Sequence, residues 1–441
     1  MAIKWPIVTI AEIAAPIPNA IAMGPFGSDI KTNNFVPSGV PVIRGGNLTS
    51  GRFNGSEFVY LTESKADQLR AANAFPGDVV FTHRGTLGQV GIIPTNTHFK
   101  RYVVSQSQMK LTCDRGKADP AFIYYFFRSD VGQQALLANT STTGVPAISR
   151  PLTSLKSIAI PLPPLEKQRA IASILGALDD KIDLNRRMNE TLEAIARALF
   201  TSWFVDFDPV RAKMEGRQPV GMDDKTAVLF PEEFEDSVLG EVPKGWLIKP
   251  LDQVADFLNG LALQKYPPTG IGNLPVIKIA ELRRGVTDSS GRASSNIDAK
   301  YIVEDGNVLF SWSGSLGSCI WTGGRGALNQ HLFKVTSAQY PKWFYYHWIK
   351  EHLPEFQAIA AGKATTMGHI QRHHLADVLV LIPPTRLMQA MDDVMEPLLD
   401  RHISNSLEAR TATTIRDALL PKLLSGELRV EEAEQKLEAV V

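Results

Sequence analysis

Three histidines, His369, His373 and His374, crowd into the stretch GHIQRHH, and a cluster of that kind could hold a metal ion. No carboxylate set stands nearby. The same side chains, with Gln371 and Arg372, read better as donors for phosphates and base edges. SWSGS at Ser311 places a serine between small residues but lacks the Gly-x-Ser-x-Gly frame of a nucleophile turn. GTLGQVG, Gly85 to Gly91, is glycine-rich, yet no helix signal follows it, so it reads as a tight turn rather than a cofactor loop. An amino-methyltransferase needs an Asn/Asp/Ser-Pro-Pro-aromatic loop. LPPL at Leu162, YPPT at Tyr266 and IPPT at Ile382 do not fit. No Walker A Lys-Ser/Thr motif occurs. No catalytic or metal-ligating residue is therefore assigned, and the chain is expected not to be an enzyme.

A chain of 441 residues exceeds one ordinary core, so two or more domains are expected. The first residues, MAIKWPIVTI, carry no basic start followed by an apolar block, and no run of 18 apolar residues occurs. Neither a signal peptide nor a membrane span is expected. Cys113 and Cys319 lie one in each half and build no disulfide framework, which points to the cytoplasm. The formal net charge of +0 hides an uneven distribution. Residues 1–160 hold 15 Lys/Arg against 9 Asp/Glu, and residues 245–380 hold 13 against 10. Two mildly basic blocks thus alternate with acidic connecting segments, and a basic block can serve a polyanion.

The Pro-rich run before IPLPPLEKQRAIASILGALDDKI, Ile160 to Ile182, returns before LIPPTRLMQAMDDVMEPLLDRHI, Leu381 to Ile403. Placing Pro163-Pro164 on Pro383-Pro384 also pairs Asp180 with Asp400, Asn185 with Asn405 and Ala198-Leu199 with Ala418-Leu419, without a gap. The likeness runs backwards with small changes of offset. GVPVIRGGNL at Gly39 matches NLPVIKIAEL at Asn273. GDVVF at Gly77 matches GNVLF at Gly306, and RGTLG at Arg84 matches SGSLG at Ser313. SQSQMKLT at Ser105 matches NQHLFKVT at Asn329, and FIYYFF at Phe122 matches WFYYHW at Trp343. Their shared order marks a duplicated unit, far longer than a solenoid repeat.

Within a unit, Pro41–Ile43, Val79–Phe81, Val90–Ile93 and Met109–Leu111 read as strands. Phe122–Leu137 and Trp343–Ala358 read as helices, the second with a break at Pro354. From about Leu165 to Phe204, steps of four and three pick out Ile171, Leu175, Leu178, Ile182, Asn185, Asn189, Leu192, Ala196, Leu199 and Trp203. Forty residues make a rod of roughly 60 Å that needs a partner. The second copy is the nearest candidate, and chain order favours antiparallel pairing. Asn185 and Asn405 fall near the middle, where a facing polar pair would fix helix register. The expected fold class is mixed α/β (α+β): two similar globules separated by two long antiparallel coiled-coil helices, with a pseudo-two-fold internal repeat. Residues 1–160 form the first globule, 161–204 the first spacer helix and 205–245 a linker. Residues 246–380 form the second globule, 381–428 the second helix and 429–441 a tail. Two such binding heads suit a ligand with two separated sites, and duplex DNA is one.

Together, the PPLEKQ start of the first helix, VDFDPVRAKMEG and LFPEEFEDSVLGEVPKGW after it, and GPFGSDIK, PGDVVF and GTLGQVG in the first globule resemble the specificity (S) subunit of type I restriction–modification systems. In the second copy Thr385-Arg386-Leu387-Met388 replaces Leu165-Glu166-Lys167-Gln168. The resemblance covers essentially the whole chain. It implies that the globules are target recognition domains, each reading half of a bipartite, asymmetric sequence in double-stranded DNA. It also implies two docked methylation subunits that bind S-adenosylmethionine and methylate adenine, and restriction subunits that use ATP and Mg²⁺. The chain itself would bind no cofactor and would not be catalytic. The alternatives are a two-headed scaffold that binds proteins and a solo nuclease.

Base readout calls for Arg or Lys at guanine, Asn or Gln at adenine, and small polar groups at either, on loops beside the strands. Candidates in the first domain are Ser28, Lys31, Arg44, Arg84, Gln89, Gln106, Gln108, Thr142, Thr143 and Arg150. In the second they are Lys278, Arg283, Arg284, Ser313, Arg325, Gln330, His331, Thr365, Thr366, His369 and Arg372. NTSTTGVPAISR and GKATTMGHIQR fall at equivalent places and combine Thr, Gly and a base.

Overall fold

Short apolar runs punctuated by glycine and proline become short strands. The computed structural model describes residues 5–48, 53–141, 144–362 and 368–438. The chain divides into a first unit of residues 1–182 with 411–441 and a second unit of residues 183–410.

In the first unit an antiparallel sheet has the order Ile21–Met23, Gln108–Leu111, Val79–Thr82, Val90–Ile92. A second sheet runs Phe35–Val36, Val59–Leu61, Val40–Ile43, Tyr102–Val104, Asn73–Ala74, with only the Val40–Ile43 and Tyr102–Val104 pair parallel. The second unit repeats the plan. Asp256–Asn259, Leu332–Thr336, Val308–Ser311 and Gly317–Ile320 form its antiparallel sheet. Arg292–Ala293, Leu274–Ile277, Gly326–Leu328 and Ile302–Val303 form its mixed sheet, again with one parallel pair. The register repeats too. Val42 lies opposite Val103 as Val276 lies opposite Ala327, and Phe81 opposite Met109 as Phe310 opposite Phe333. Gly24 and Gly260 each run so close to a backbone carbonyl, of Ser105 and Asn329 respectively, that a Cβ would collide with it. The duplication expected from weak sequence matches is thus present in both sheets, with Phe35–Val36 an extra edge strand in the first unit. In each unit a two-stranded antiparallel ladder ties the start of the domain to its end: Ile7–Thr9 with Ala159–Pro161, and Leu247–Pro250 with Leu379–Ile382.

The expected helix Phe122–Leu137 is two helices, Pro120–Arg128 and Asp130–Leu137. Ser129 between them is extended, and its hydroxyl accepts the Gly132 N–H at 3.1 Å. A serine there caps a new helix better than it continues the old one. Phe122 through Phe127 are all buried. The helix lies between Phe81 of the sheet, 4.9 Å from Phe127, and Asp179 of the first long helix, which accepts from the Tyr125 hydroxyl at 2.8 Å. The second unit's counterpart also breaks, into Lys342–Glu351 and Leu353–Ala361, with Pro354 in the first turn of the second piece.

The long helices span Leu165–Phe204 and Thr385–Ser425. In the first unit Arg416 contacts Asp179 at 2.7 Å and Lys167 pairs with Glu431. In the second unit Asn185 donates to Glu408 at 3.3 Å, and Asn189 donates to the His402 carbonyl at 3.0 Å. From Asn185–Glu408 to Asn189–His402 residue numbers rise on one helix as they fall on the other, so the helices run antiparallel. Ile171, Leu175, Leu178, Ala196 and Trp203 of the expected seam are buried. Asn185 and Asn405 are buried as well, but each bonds one turn away from its repeat mate: Asn405 donates to Asn189 at 3.0 Å. An antiparallel pair brings a residue opposite its own copy only at the midpoint, and Asn185 lies half a turn from it.

Two segments carry more structure than a linker and a tail. Within 205–245, helices Asp208–Met214 and Asp224–Leu229 precede the hairpin Phe234–Ser237 with Gly240–Pro243. Phe207, Val210, Phe230 and Val242 join Trp246 in the second unit's core. Val430–Glu438 is a helix that puts Val430 and Ala433 into the first unit's core.

One core group makes the second unit acid-sensitive. His347 stacks on Phe200 at 5.3 Å, and burial pushes its pKa down to about 4. Lys350 lowers it further, while Glu193 acts in the opposite direction. The unfolded imidazole takes up a proton near pH 6.5 and the folded one does not. Stability is therefore full above pH 6.5 and falls as the pH drops towards 4, by about 3 kcal/mol for a shift of this size. His347→Phe keeps the stack and should remove this component. Urea unfolding at pH 7 and pH 5 checks it, because other groups titrate alike in both proteins.

Candidate nucleic-acid interface

A cleft of about 380 Å³ opens in the first unit where its two sheets meet. Its lining includes Arg44, Arg84, Gln89, Gln106 and Gln108, five of the residues expected to read DNA, and no carboxylate. Arg44 follows Val40–Ile43, Arg84 follows Val79–Thr82, and Gln106 precedes Gln108–Leu111. Strand ends from both sheets thus bring together residues far apart in sequence.

The three glutamines are not alike. Ser105 Oγ donates to Gln108 Oε1, and Gln108 Nε2 donates to Thr82 Oγ1 at 3.3 Å. Thr82 Oγ1 donates to Gln89 Oε1 at 2.9 Å, and Gln89 Nε2 donates to the Gly45 carbonyl at 3.2 Å. This relay fixes both amides and joins the two sheets under the cleft. Gln106 is exposed, and its own carbonyl accepts from His83 Nε2 at 3.1 Å. Burial holds the His83 pKa below the usual imidazole range, which suits a neutral ring donating through Nε2. Arg84 is exposed, and no described residue bonds its guanidinium. Among the described residues the Arg44 guanidinium makes one long contact, 3.5 Å to the Glu57 carbonyl. Thr82, Thr86 and Ser107 also line the cleft. None of the three is among the expected readers, although the alternating SQSQ run already hints at a strand end with two faces.

Lys31 and Arg150 are exposed and lie outside the cleft lining. Arg150 is left-handed, at φ 48°, just before the helix Pro151–Ser157. Thr142, Thr143, Thr365, Thr366 and the side chain of Ser28 lie outside the described residues.

The repeat places Lys278 at the position of Arg44, Ser313 at that of Arg84, and Gln330 and His331 at those of Gln106 and Ser107. Isolated bridges agree: Arg84 pairs with Ala147 as Ser313 pairs with His369. Here Trp312 is the hub: its indole donates to Asn259 at 2.9 Å and to the Gln330 carbonyl at 3.2 Å. The His331 and His369 rings lie 6.0 and 6.3 Å from it. Ser313 is buried, and its Oγ sits 2.9 Å from His331 Nδ1. Arg372 donates to the Phe257 carbonyl at 3.1 Å and lies over Phe333. Arg325 pairs with Glu304 at 3.3 Å. Arg283 and Arg284 end the helix Ile279–Arg284, exposed and away from Trp312 in sequence and strand position. Among the described residues no group of three or more His, Cys, Asp or Glu is placed to hold a metal, and no helix is long and apolar enough to cross a membrane.

The two domains thus share one plan of sheets and carry different side chains at matched positions. The family model for the type I restriction modification DNA specificity domain matches residues 23–194 and again 243–409. The chain belongs to that family. Among its relatives is the type I restriction enzyme MjaIX specificity subunit of Methanocaldococcus jannaschii, 26% identical over 398 residues that cover 85% of each chain. Another is the HindI specificity subunit of Haemophilus influenzae, 26% identical over 375 residues, covering 74% of this chain and 81% of that one. In fold the chain resembles the type I restriction–modification S subunit from M. genitalium, with a TM-score of 0.58 at 16% identity over 96% of both chains. The family match covers both copies of the repeat.

Proposed function

We propose that each unit reads one half of a bipartite, asymmetric sequence in double-stranded DNA, and that the long helices set the number of unread base pairs between the halves. Two methylation subunits dock on the helical region and methylate adenine with S-adenosylmethionine. Restriction subunits bring ATP and Mg²⁺. The chain works in the cytoplasm and contributes no catalytic group. The observation that carries this reading is the pairing of matched frame positions with different side chains, Arg84 against Ser313 and Arg44 against Lys278. Equal frames with unequal contacts read unequal half-sites.

The chain purified with its methylation subunits should shift genomic duplex fragments, with affinity falling steeply as salt rises, because phosphate neutralisation releases counterions. A salt-independent complex with another protein and no DNA shift would support the scaffold instead. Exchanging residues 1–160 for those of another family member should change one half-site and leave the other intact. Sequencing of the methylated DNA reads this out. Change in both halves would overturn the division of labour.

A further inference from the structure

We infer that Arg84 reads a guanine in the half-site taken by the first unit, and that the other half-site has no guanine contact from the matching position. The inference rests on the DNA-reading function proposed above and concerns which base is chosen.

Five polar candidates line the first cleft, and their hydrogen bonds sort them. Gln89 and Gln108 spend their amide oxygens and one N–H each on the relay from Ser105 to Gly45. Gln108 is also only 1% exposed, and the relay holds both amides in place between the sheets, so neither is free to turn towards a base edge. Both are structural here. Arg84, Arg44 and Gln106 remain exposed at the rim. No carboxylate lines the cleft, so two guanidinium groups stand there without a compensating anion. Arg84 is the better placed of the two, because Arg44 already leans on the Glu57 carbonyl. Its backbone is fixed on both sides. His83 N–H donates to the Ser107 carbonyl at 2.9 Å, and Gly85 N–H donates to the Pro146 carbonyl at 2.8 Å. A planar fork of donors on a fixed base, facing a ligand rich in acceptors, matches guanine O6 and N7 bidentately. The matching position in the second unit holds Ser313, buried and bonded to His331, which offers no such fork.

The test selects duplexes from a randomised pool with the full-length chain purified with its methylation subunits, followed by sequencing. Wild type should return two half-sites, with a guanine preference of about 10-fold or more at one position of the half-site lost when residues 1–160 are exchanged. Arg84→Ala should bring that preference close to 1 and leave every other position unchanged. Arg84→Lys keeps the charge and loses the fork, so it should keep the salt dependence yet lose most of the guanine preference. If Arg84→Ala instead weakens binding evenly over all sequences and lowers the salt slope by about one, Arg84 is a phosphate contact and the inference is overturned. A wild-type pool with no selected sequence at all would overturn the proposed function itself, a result distinct from either.

Discussion

Seven residues inserted into each long helix, between Ile182 and Asp183 and between Arg410 and Thr411, should shift the preferred target to one with a gap about 10 Å, or three base pairs, wider. Both insertions fall on the boundary between the two units, so the contacts within each unit are kept. A heptad rather than another length is needed because it returns the seam to nearly the same side, with a drift of about 20°. Affinity for the original target should fall by about 10³-fold, since one half-site is then read out of register. The widened target should not fully restore the original affinity. Three base pairs turn the duplex by about 100° at 10.5 base pairs per turn, far more than the helices turn, and the DNA or the helices must twist to make up the difference. Binding selection with randomised spacers gives the answer directly. An unchanged spacer preference would refute the helices as its determinant.

The second large effect is on stability. Asp179 is buried on the first long helix, and its partners include the Tyr125 hydroxyl at 2.8 Å, Arg128 at 3.3 Å and Arg416 at 2.7 Å. It thereby joins the aromatic helix, the first long helix and the end of the second within one unit. Arg416 is itself only 13% exposed, and its other ion-pair partner is the more exposed Asp417. Removing the carboxylate leaves two guanidinium groups short of charge in a partly dry site. Asp179→Ala should therefore cost about 3–5 kcal/mol. Asp179→Asn, which keeps shape and some hydrogen bonds, should cost less. Urea unfolding followed by tryptophan and tyrosine fluorescence measures both. A loss under about 1 kcal/mol for the alanine variant would mean that the cluster is solvated and incidental.

The large elements were legible because their signals are long. The first long helix spans the same residues that its heptad predicted, Leu165–Phe204. The duplication was legible because several short matches kept their order, and they now map onto matched strands, helices and, for RGTLG and SGSLG, a matched turn. Local hydrogen bonds were not legible. Nothing in FIYYFFRSDVGQQALL announces that Ser129 will cap rather than continue. The connector read as polar because its acidic residues dominate the composition, yet Phe207, Phe230 and Trp246 are enough to fold it onto a core. At the cleft, residue type found Arg84, Gln89, Gln106 and Gln108 together. It could not separate the glutamine that faces outward from the two that hold the sheets, because that difference depends on Gly45 and Thr82, which only the fold brings beside Gln89 and Gln108 respectively.

The motif before the first helix gains a physical meaning as well. Gln168 is fully buried, accepts the Asp119 N–H at 2.8 Å and donates to the carbonyls of Lys117 and Pro163. The second copy has Met388 at that place and forgoes this stitch.

The ladders that close each domain have a genetic consequence. Ile7–Thr9 lies beside Ala159–Pro161, and Leu247–Pro250 beside Leu379–Ile382, so each domain leaves the chain close to where it joined it. A segment with adjoining ends can be lifted out by crossing-over and replaced by a foreign one with little strain on what remains. Exchange of one such cassette would leave the other domain's ladder and strands as they are.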